Sequence, residues 1–110
     1  MINSSVVLIR KACGHEYALL GMRAAWAMLA AGLEAKVLLM GEGVYSVLGK
    51  GGYLNELCAR FLEQGGAIYA VREDLANAGL DEKSLPPGMS VIPASKLPQL
   101  AQEADSIMTF

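Results

Sequence analysis

Residues 6–9 form an uninterrupted apolar run, Val6 to Ile9, in which three of the four side chains are β-branched. Such a run is typical of a parallel-sheet strand that is buried on both faces. A helical stretch rich in Ala, Leu and Met follows from His15 to Ala31, with Gly32 placed to end it. A buried strand leading into a long helix predicts the first βα unit of a parallel sheet.

The alternation of strand and helix continues to the end of the chain. Further strands are predicted at 36–40, 67–71, 89–92 and 106–110, further helices at 53–64, 73–78 and from an N-cap at Ser95 to 104, and a glycine-punctuated loop at 41–52. Five strands alternating with four helices predict an α/β fold. We expect a three-layer α/β/α, flavodoxin-like arrangement with a predominantly parallel five-stranded sheet, formed by one domain over residues 1–110.

Composition narrows the classes of partner. The formal net charge is -2, and the pair Arg10-Lys11 is the one cluster of basic residues, so a nucleic-acid-binding face is not expected. Apolar residues make up 54% of the chain and charged residues 18%. The first helix is apolar nearly all the way round, whereas a surface helix should carry a polar face. Dense packing of its Ala-rich faces in the core is one explanation, and burial by another subunit is the second. We expect a homo-oligomer or a complex with related subunits that covers this helix.

The compartment is predicted from the cysteines and from two absences in the sequence. The apolar stretch 17–33 is interrupted by Gly21, Arg23 and Gly32, so it does not predict a membrane span. Residues 1–5 lack the basic start of a signal peptide. Two cysteines without CxxC spacing are typical of a reducing compartment, and we expect a cytoplasmic protein with unpaired thiols.

Cys13 is the first candidate for a reactive, catalytic residue, because it lies at the predicted junction of strand and helix. In parallel α/β folds this junction lies at the carboxyl edge of the sheet, where ligands bind. The free N–H groups of a helix N-terminus favour the thiolate. His15, the one histidine, is a candidate acid or base or else an exposed first-turn residue. Cys58 lies among apolar residues of the second helix and is interpreted as a core residue.

Other motifs predict little. Gly41-Glu42-Gly43 resembles the start of a dinucleotide fingerprint, but Ser46 occupies the place of the third glycine. Gly41 and Gly43 are nevertheless candidate substrate-binding residues, together with Gly14, whose backbone N–H would face an anion on Cys13. One histidine and two separated cysteines do not make a metal site within one chain. We expect neither a metal nor a cofactor, and a small-ligand-binding module is the third functional hypothesis.

Three segments, taken in order, resemble the DsrE/DsrF/TusC-type family of sulfur-relay proteins, and the DsrF/TusC branch most closely. They are Val37–Tyr45, Ile68–Asp81 and Ala104–Phe110. They correspond to a strand leading into a DGV(Y/F)-like loop, a strand and short helix ending in RGL, and a closing D-x-(I/V)-(L/M)-x-F strand. In this chain Glu42 stands for the usual Asp and Ala78 for the usual Arg. The fold that the resemblance implies agrees with the α/β prediction.

The resemblance implies a relay of sulfane sulfur as a cysteine persulfide, in intracellular sulfur metabolism or tRNA thiolation, with donor and acceptor proteins as partners. Sulfur-carrying members of the family hold their cysteine at the end of the third strand, a place that falls near Val71 in this chain. Two interpretations stay open. The chain carries sulfur on Cys13 as a sulfurtransferase-like carrier, or it is a non-catalytic assembly subunit.

Overall fold

The computed structural model describes residues 4–10, 16–48, 53–80, 85 and 88–110. Within these ranges the chain alternates strands with helices, as the sequence predicts. The strands are β1 (Ser4–Ile9), β2 (Glu34–Leu39), β3 (Ala67–Val71), β4 (Ser90–Ile92) and β5 (Ser106–Thr109). The α-helices are α1 (Glu16–Ala30), α2 (Tyr53–Glu63), α3 (Arg72–Asn77) and α4 (Leu97–Glu103). Two 3-10 segments, Gly41–Leu48 and Ala94–Lys96, complete the described elements.

The five strands form one sheet in the order β4-β3-β2-β1-β5. Every strand pair is parallel, so the α/β fold with a parallel five-stranded sheet is confirmed. β1 is an interior strand between β2 and β5, with Val7 opposite Val37 of β2 and opposite Met108 of β5. The apolar run at 6–9 therefore has a strand on either side, which is the setting that its composition predicts.

The principal core lies on one face of the sheet. Val7, Ile9, Val37, Leu39, Ile68 and Ala70 point from β1, β2 and β3 towards it. α1 contributes Met22 and Ala25, α2 contributes Phe61, and α3 contributes Leu75 to the same cluster. Phe61 has no exposed surface, and full burial of a side chain of this size stabilises the fold by about 1.5–3 kcal/mol.

The second face of the sheet is covered by α4. The helix leaves an apolar cavity of about 300 Å³ between itself and the sheet. Its walls are Val6, Leu8, Leu38, Met40, Leu97, Pro98, Ala101 and Ile107. Val6 and Leu38 form a floor that is almost fully buried, whereas Ile107 at the rim is 46% exposed.

The predicted loop at 41–52 is wrong over its first part, because Gly41–Leu48 forms a 3-10 segment. Its first turn is closed by the Gly43 N–H, which donates to the Met40 carbonyl at 2.9 Å. The buried side chain of Val44 fixes the segment to the core. Glycines at 41, 43, 49, 51 and 52 made the stretch resemble a loop, and the apolar residues between them are too few to predict a helix from periodicity.

The predicted N-cap at Ser95 is also wrong. Ser95 lies inside the 3-10 segment Ala94–Lys96, and α4 begins at Leu97 with Lys96 as its N-cap. Pro98 is in the first turn of α4, where a missing N–H costs nothing because that group has no partner within the helix. Gln99 and Glu103 lie on the exposed side of α4, where the Gln99 amide donates a hydrogen bond of 3.1 Å to the Glu103 carboxylate.

Candidate functional site at the carboxyl edge of the sheet

The carboxyl ends of the three strands β5, β1 and β2 are joined by backbone hydrogen bonds. The Phe110 N–H donates to the Leu8 carbonyl at 2.8 Å, and the Arg10 N–H donates to the Phe110 carbonyl at 2.9 Å. The Met40 N–H donates to the Ile9 carbonyl at 3.0 Å. This network fixes the backbone of Arg10 between the ends of the two neighbouring strands.

Gly43 is pressed against the end of β1. A Cβ atom at this position would collide with the carbonyl oxygen and carbon of Ile9, which are backbone atoms and cannot rotate away. Gly41 has a φ of 55°, a left-handed conformation that favours glycine. Both glycines thus have a structural reason to be where they are. Their predicted part in substrate binding stays a prediction.

The first turn of α3 connects two loops at this edge. A carboxylate oxygen of Asp74 accepts a hydrogen bond from the Gly41 N–H at 2.8 Å. Both carboxylate oxygens of Glu73 lie 3.1 Å from the Ala94 N–H, at the start of the segment that leads into α4. Two acidic side chains of one short helix therefore position the turn after β2 and the turn after β4.

A cavity of about 450 Å³ opens at the same edge. Among the described residues it is lined by Arg10, Gly41, Glu42, Thr109 and Phe110. Arg10 and Glu42 are exposed, so one side chain of each charge is available to a ligand. Carboxyl ends of parallel strands are the usual ligand edge of open α/β sheets, so the position of this cavity agrees with the general rule.

The predicted catalytic residues cannot be placed in this cavity. Cys13, Gly14 and His15 lie outside the described residues, between the end of β1 at Ile9 and the start of α1 at Glu16. Their roles stay predictions. Of the predicted site residues, the structure describes Gly41, which lines the cavity, and Gly43, which is buried beside it.

The structure describes the position near Val71 in full. Val71 is the last residue of β3 and the N-cap of α3, and its side chain is 2% exposed. It therefore lies at the strand-to-helix junction that the resemblance gives to the family's sulfur carrier, and it offers no nucleophile there. Cys58 is 6% exposed and packs in the core with Leu57 and Phe61, which confirms its interpretation as a core residue.

Sequence reasoning missed Thr109, Phe110, Glu73 and Asp74 as residues of this edge. Thr109 and Phe110 reach it because β5 pairs with β1, and the sequence does not reveal which strands are neighbours. For Glu73 and Asp74 a signal was present, since acidic residues are favoured in the first turn of a helix. The sequence does not reveal which loops donate hydrogen bonds to these two carboxylates.

The described residues lack two further features. Among them there is no group of three or more His, Cys, Asp or Glu side chains placed to hold a metal ion. No helix within the described ranges combines the length and the apolar character needed to cross a membrane.

The sheet is all parallel and has a cavity at its carboxyl edge, so the chain is an open-sheet α/β protein with a candidate ligand site at the usual place. The model of the DsrE/DsrF-like family matches residues 4–110, and the chain belongs to that family. The match does not resolve the DsrF/TusC branch. Membership supports a role of the sulfur-relay type at the level of the family.

Two solved structures show the same fold. The ychN protein from E. coli has a TM-score of 0.82 and 19% sequence identity, and the match covers 100% of both chains. A protein of unknown function, MTH1491 from Methanobacterium thermoautotrophicum, has a TM-score of 0.80 and 18% identity, over 97% of this chain and 98% of that one. A comparison with curated proteins gave no match.

Proposed function

We propose that this chain is a cytoplasmic sulfur-relay protein that accepts sulfane sulfur on Cys13 as a persulfide and passes it to an acceptor thiol. The observation that carries the proposal is the family match over residues 4–110. The two cysteines of the chain are Cys13 and Cys58, and Cys58 is buried in the core. A thiol that exchanges sulfur with a partner protein needs access, which favours Cys13.

The proposed reaction needs no external oxidant. The Cys13 thiolate attacks the outer sulfur of a donor persulfide, the donor's sulfur–sulfur bond breaks, and the donor leaves as a thiolate. One persulfide is consumed and one is formed, so the transfer is redox-neutral. His15 would supply or take the proton of a thiol, and the backbone N–H groups of Gly14 and His15 would hold the persulfide anion.

Intact-mass spectrometry tests this function. We expect the wild-type protein, incubated with a persulfide donor, to gain the mass of one sulfur atom. Cys13→Ser should lose the adduct. Cys58→Ala should keep it, and alanine is the suitable control because a serine hydroxyl buried at that position would need a new hydrogen-bond partner. Wild-type protein that stays unmodified while a known carrier is loaded would contradict the proposal.

A second candidate function is a non-catalytic assembly subunit. Val71 supports it, because a buried apolar side chain occupies the place of the family's carrier cysteine. This function predicts a stable homo-oligomer or hetero-complex whose assembly is unchanged in Cys13→Ser. Light scattering that shows a monomer at every concentration, together with failure to recover a related subunit, would count against it.

A further inference from the structure

The cavity at the carboxyl edge carries two opposite charges that the proposed persulfide chemistry does not use. Arg10 and Glu42 both line it. Within the described ranges no direct ion pair joins Arg10 to Glu42, so neither cavity side chain neutralises the other. Water hydrates exposed charges such as these, and a ligand that carries both complementary groups can replace that hydration with direct contacts.

We propose that this cavity binds a small thiol compound with an α-amino acid group, whose carboxylate contacts Arg10 and whose ammonium contacts Glu42. The persulfide of such a compound is then the sulfur donor, a step that rests on the proposed function. Both residues line the same cavity, because the Arg10 carbonyl lies beside Gly41 and Glu42 follows Gly41 directly. Arginine is suited to carboxylates because its guanidinium can donate two parallel hydrogen bonds.

The pair of charges selects against simple anions. A dianion such as thiosulfate would be attracted by Arg10 and repelled by Glu42, and specificity of this kind requires a repulsive element as well as an attractive one. A zwitterion satisfies both side chains. The charges therefore favour an amino acid or short peptide over an inorganic sulfur compound.

The remaining walls among the described residues, together with the volume, fit a short peptide. Gly41 adds no side chain, Thr109 offers a hydroxyl group, and Phe110 offers an aromatic surface. The volume of about 450 Å³ lies within the range of roughly 300–1,000 Å³ that is usual for sites of small organic ligands. A single amino acid would leave room for another one or two residues, so a thiol peptide of two or three residues is the expected class of ligand.

Sulfur leaves this ligand in a balanced step. A thiolate of the protein attacks the outer sulfur of the peptide persulfide, the peptide's sulfur–sulfur bond breaks, and the peptide departs as its thiolate. The charged ends of the peptide do not change during the step. Arg10 and Glu42 therefore act in binding and are not catalytic residues.

Titration calorimetry of the Cys13→Ser protein tests the ligand class without any sulfur transfer. The probe is S-methylglutathione, an unreactive thioether with one α-amino acid end. We expect Arg10→Gln and Glu42→Gln each to weaken its binding by roughly three- to tenfold, the size of one charge-assisted contact at a half-open site. Arg60→Gln and Glu56→Gln change the net charge in the same way on α2 and should leave binding unchanged.

For thiosulfate, the effect of Glu42→Gln on affinity is expected to have the opposite sign. We expect Glu42→Gln to strengthen thiosulfate binding and Arg10→Gln to weaken it, whereas both variants weaken the peptide. The proposal would be overturned if all four variants bound the peptide with equal affinity. It would also be overturned if the parent protein bound thiosulfate more tightly than the peptide. If the peptide binds through Arg10 and Glu42 but wild-type protein never gains sulfur, the proposed function fails and the ligand site stands. If the wild-type protein gains sulfur while the four variants bind the peptide with equal affinity, the ligand site fails and the proposed function stands.

Discussion

Gly43 shows how one residue fixes the geometry of the candidate site. Its Cα lies so close to the Ile9 carbonyl that no side chain fits between them, and its N–H closes the turn onto Met40. This contact joins the end of β1 to the 3-10 segment that carries Glu42. Displacement of the segment would therefore move one of the two charged walls of the cavity.

We expect Gly43→Ala to destabilise the protein by about 1–3 kcal/mol or more, because overpacking against backbone atoms forces the chain to shift. Gly79→Ala is the control. Gly79 has a φ of 75° and open space around its Cα, so alanine there brings conformational strain of about 1 kcal/mol without a collision. Urea unfolding would measure both, and a loss at Gly43 no larger than at Gly79 would contradict the close contact.

At the same scale, the sequence predicts some side chains and not others. Cys58 could be assigned to the core because its neighbours along α2 are apolar at helical spacing. The tight approach of Gly43 to Ile9 could not be predicted, because it depends on which strand follows which across the sheet. The same limit applies to Thr109 and Phe110, which are far from Arg10 in sequence and adjacent to it in the fold.

Among the elements, the short helix α3 positions two loops at the carboxyl edge of the sheet. It has six residues, and Leu75 is the one it buries, at 1% exposure. The two carboxylates beside Leu75 hold the Gly41 and Ala94 backbones. An isolated helix this short is not stable in water, so its position depends on the leucine and on these two hydrogen-bonded contacts.

Leu75→Ala is expected to lower the free energy of unfolding by about 2–5 kcal/mol, the usual cost of truncating a buried leucine. Asn77→Ala, at an exposed position of the same helix, is the matched control and should change it by less than about 0.5 kcal/mol. Chemical denaturation would measure both free energies, and amide hydrogen exchange at Gly41 and Ala94 would follow the loops. Unchanged exchange at both amides in Leu75→Ala would show that α3 does not position these loops.

Elements differ in how well the sequence predicts them, and the cause is the length of the apolar pattern. The five strands and α1 to α4 were predicted because their patterns are sustained or are bounded by glycine stops such as Gly32 and Gly79. The segment Gly41–Leu48 and the start of α4 were missed, because 3-10 turns follow from local backbone geometry rather than from a long pattern.

For the molecule as a whole, the faces of the sheet are covered unequally. α1, α2 and α3 pack on one face, and among the described elements α4 alone packs on the other. The order β4-β3-β2-β1-β5 produces this arrangement, because right-handed connections that run in one direction place their helices on one face and the reversal to β5 places α4 on the other. The number and direction of the strands followed from the sequence, but their order did not, because no residue pattern records which strand neighbours β1.

The two faces differ in what they offer to another subunit, and this difference makes the expected oligomer testable. Over residues 20–30 the outer side of α1 exposes Leu20, Ala27 and Ala30, with the charged residue Arg23 among them. We predict that this side is covered in the assembly, and that Leu20→Glu shifts the protein towards the monomer because it would place a charge in a desolvated contact.

Leu20 is 41% exposed and Ile107, on the opposite face, is 46% exposed, so Ile107→Glu is a matched control. Light scattering over a range of concentrations should show dissociation for Leu20→Glu alone. Dissociation by Ile107→Glu with an intact Leu20→Glu oligomer would assign the contact to the α4 face instead, and a wild-type monomer throughout would exclude the homo-oligomer.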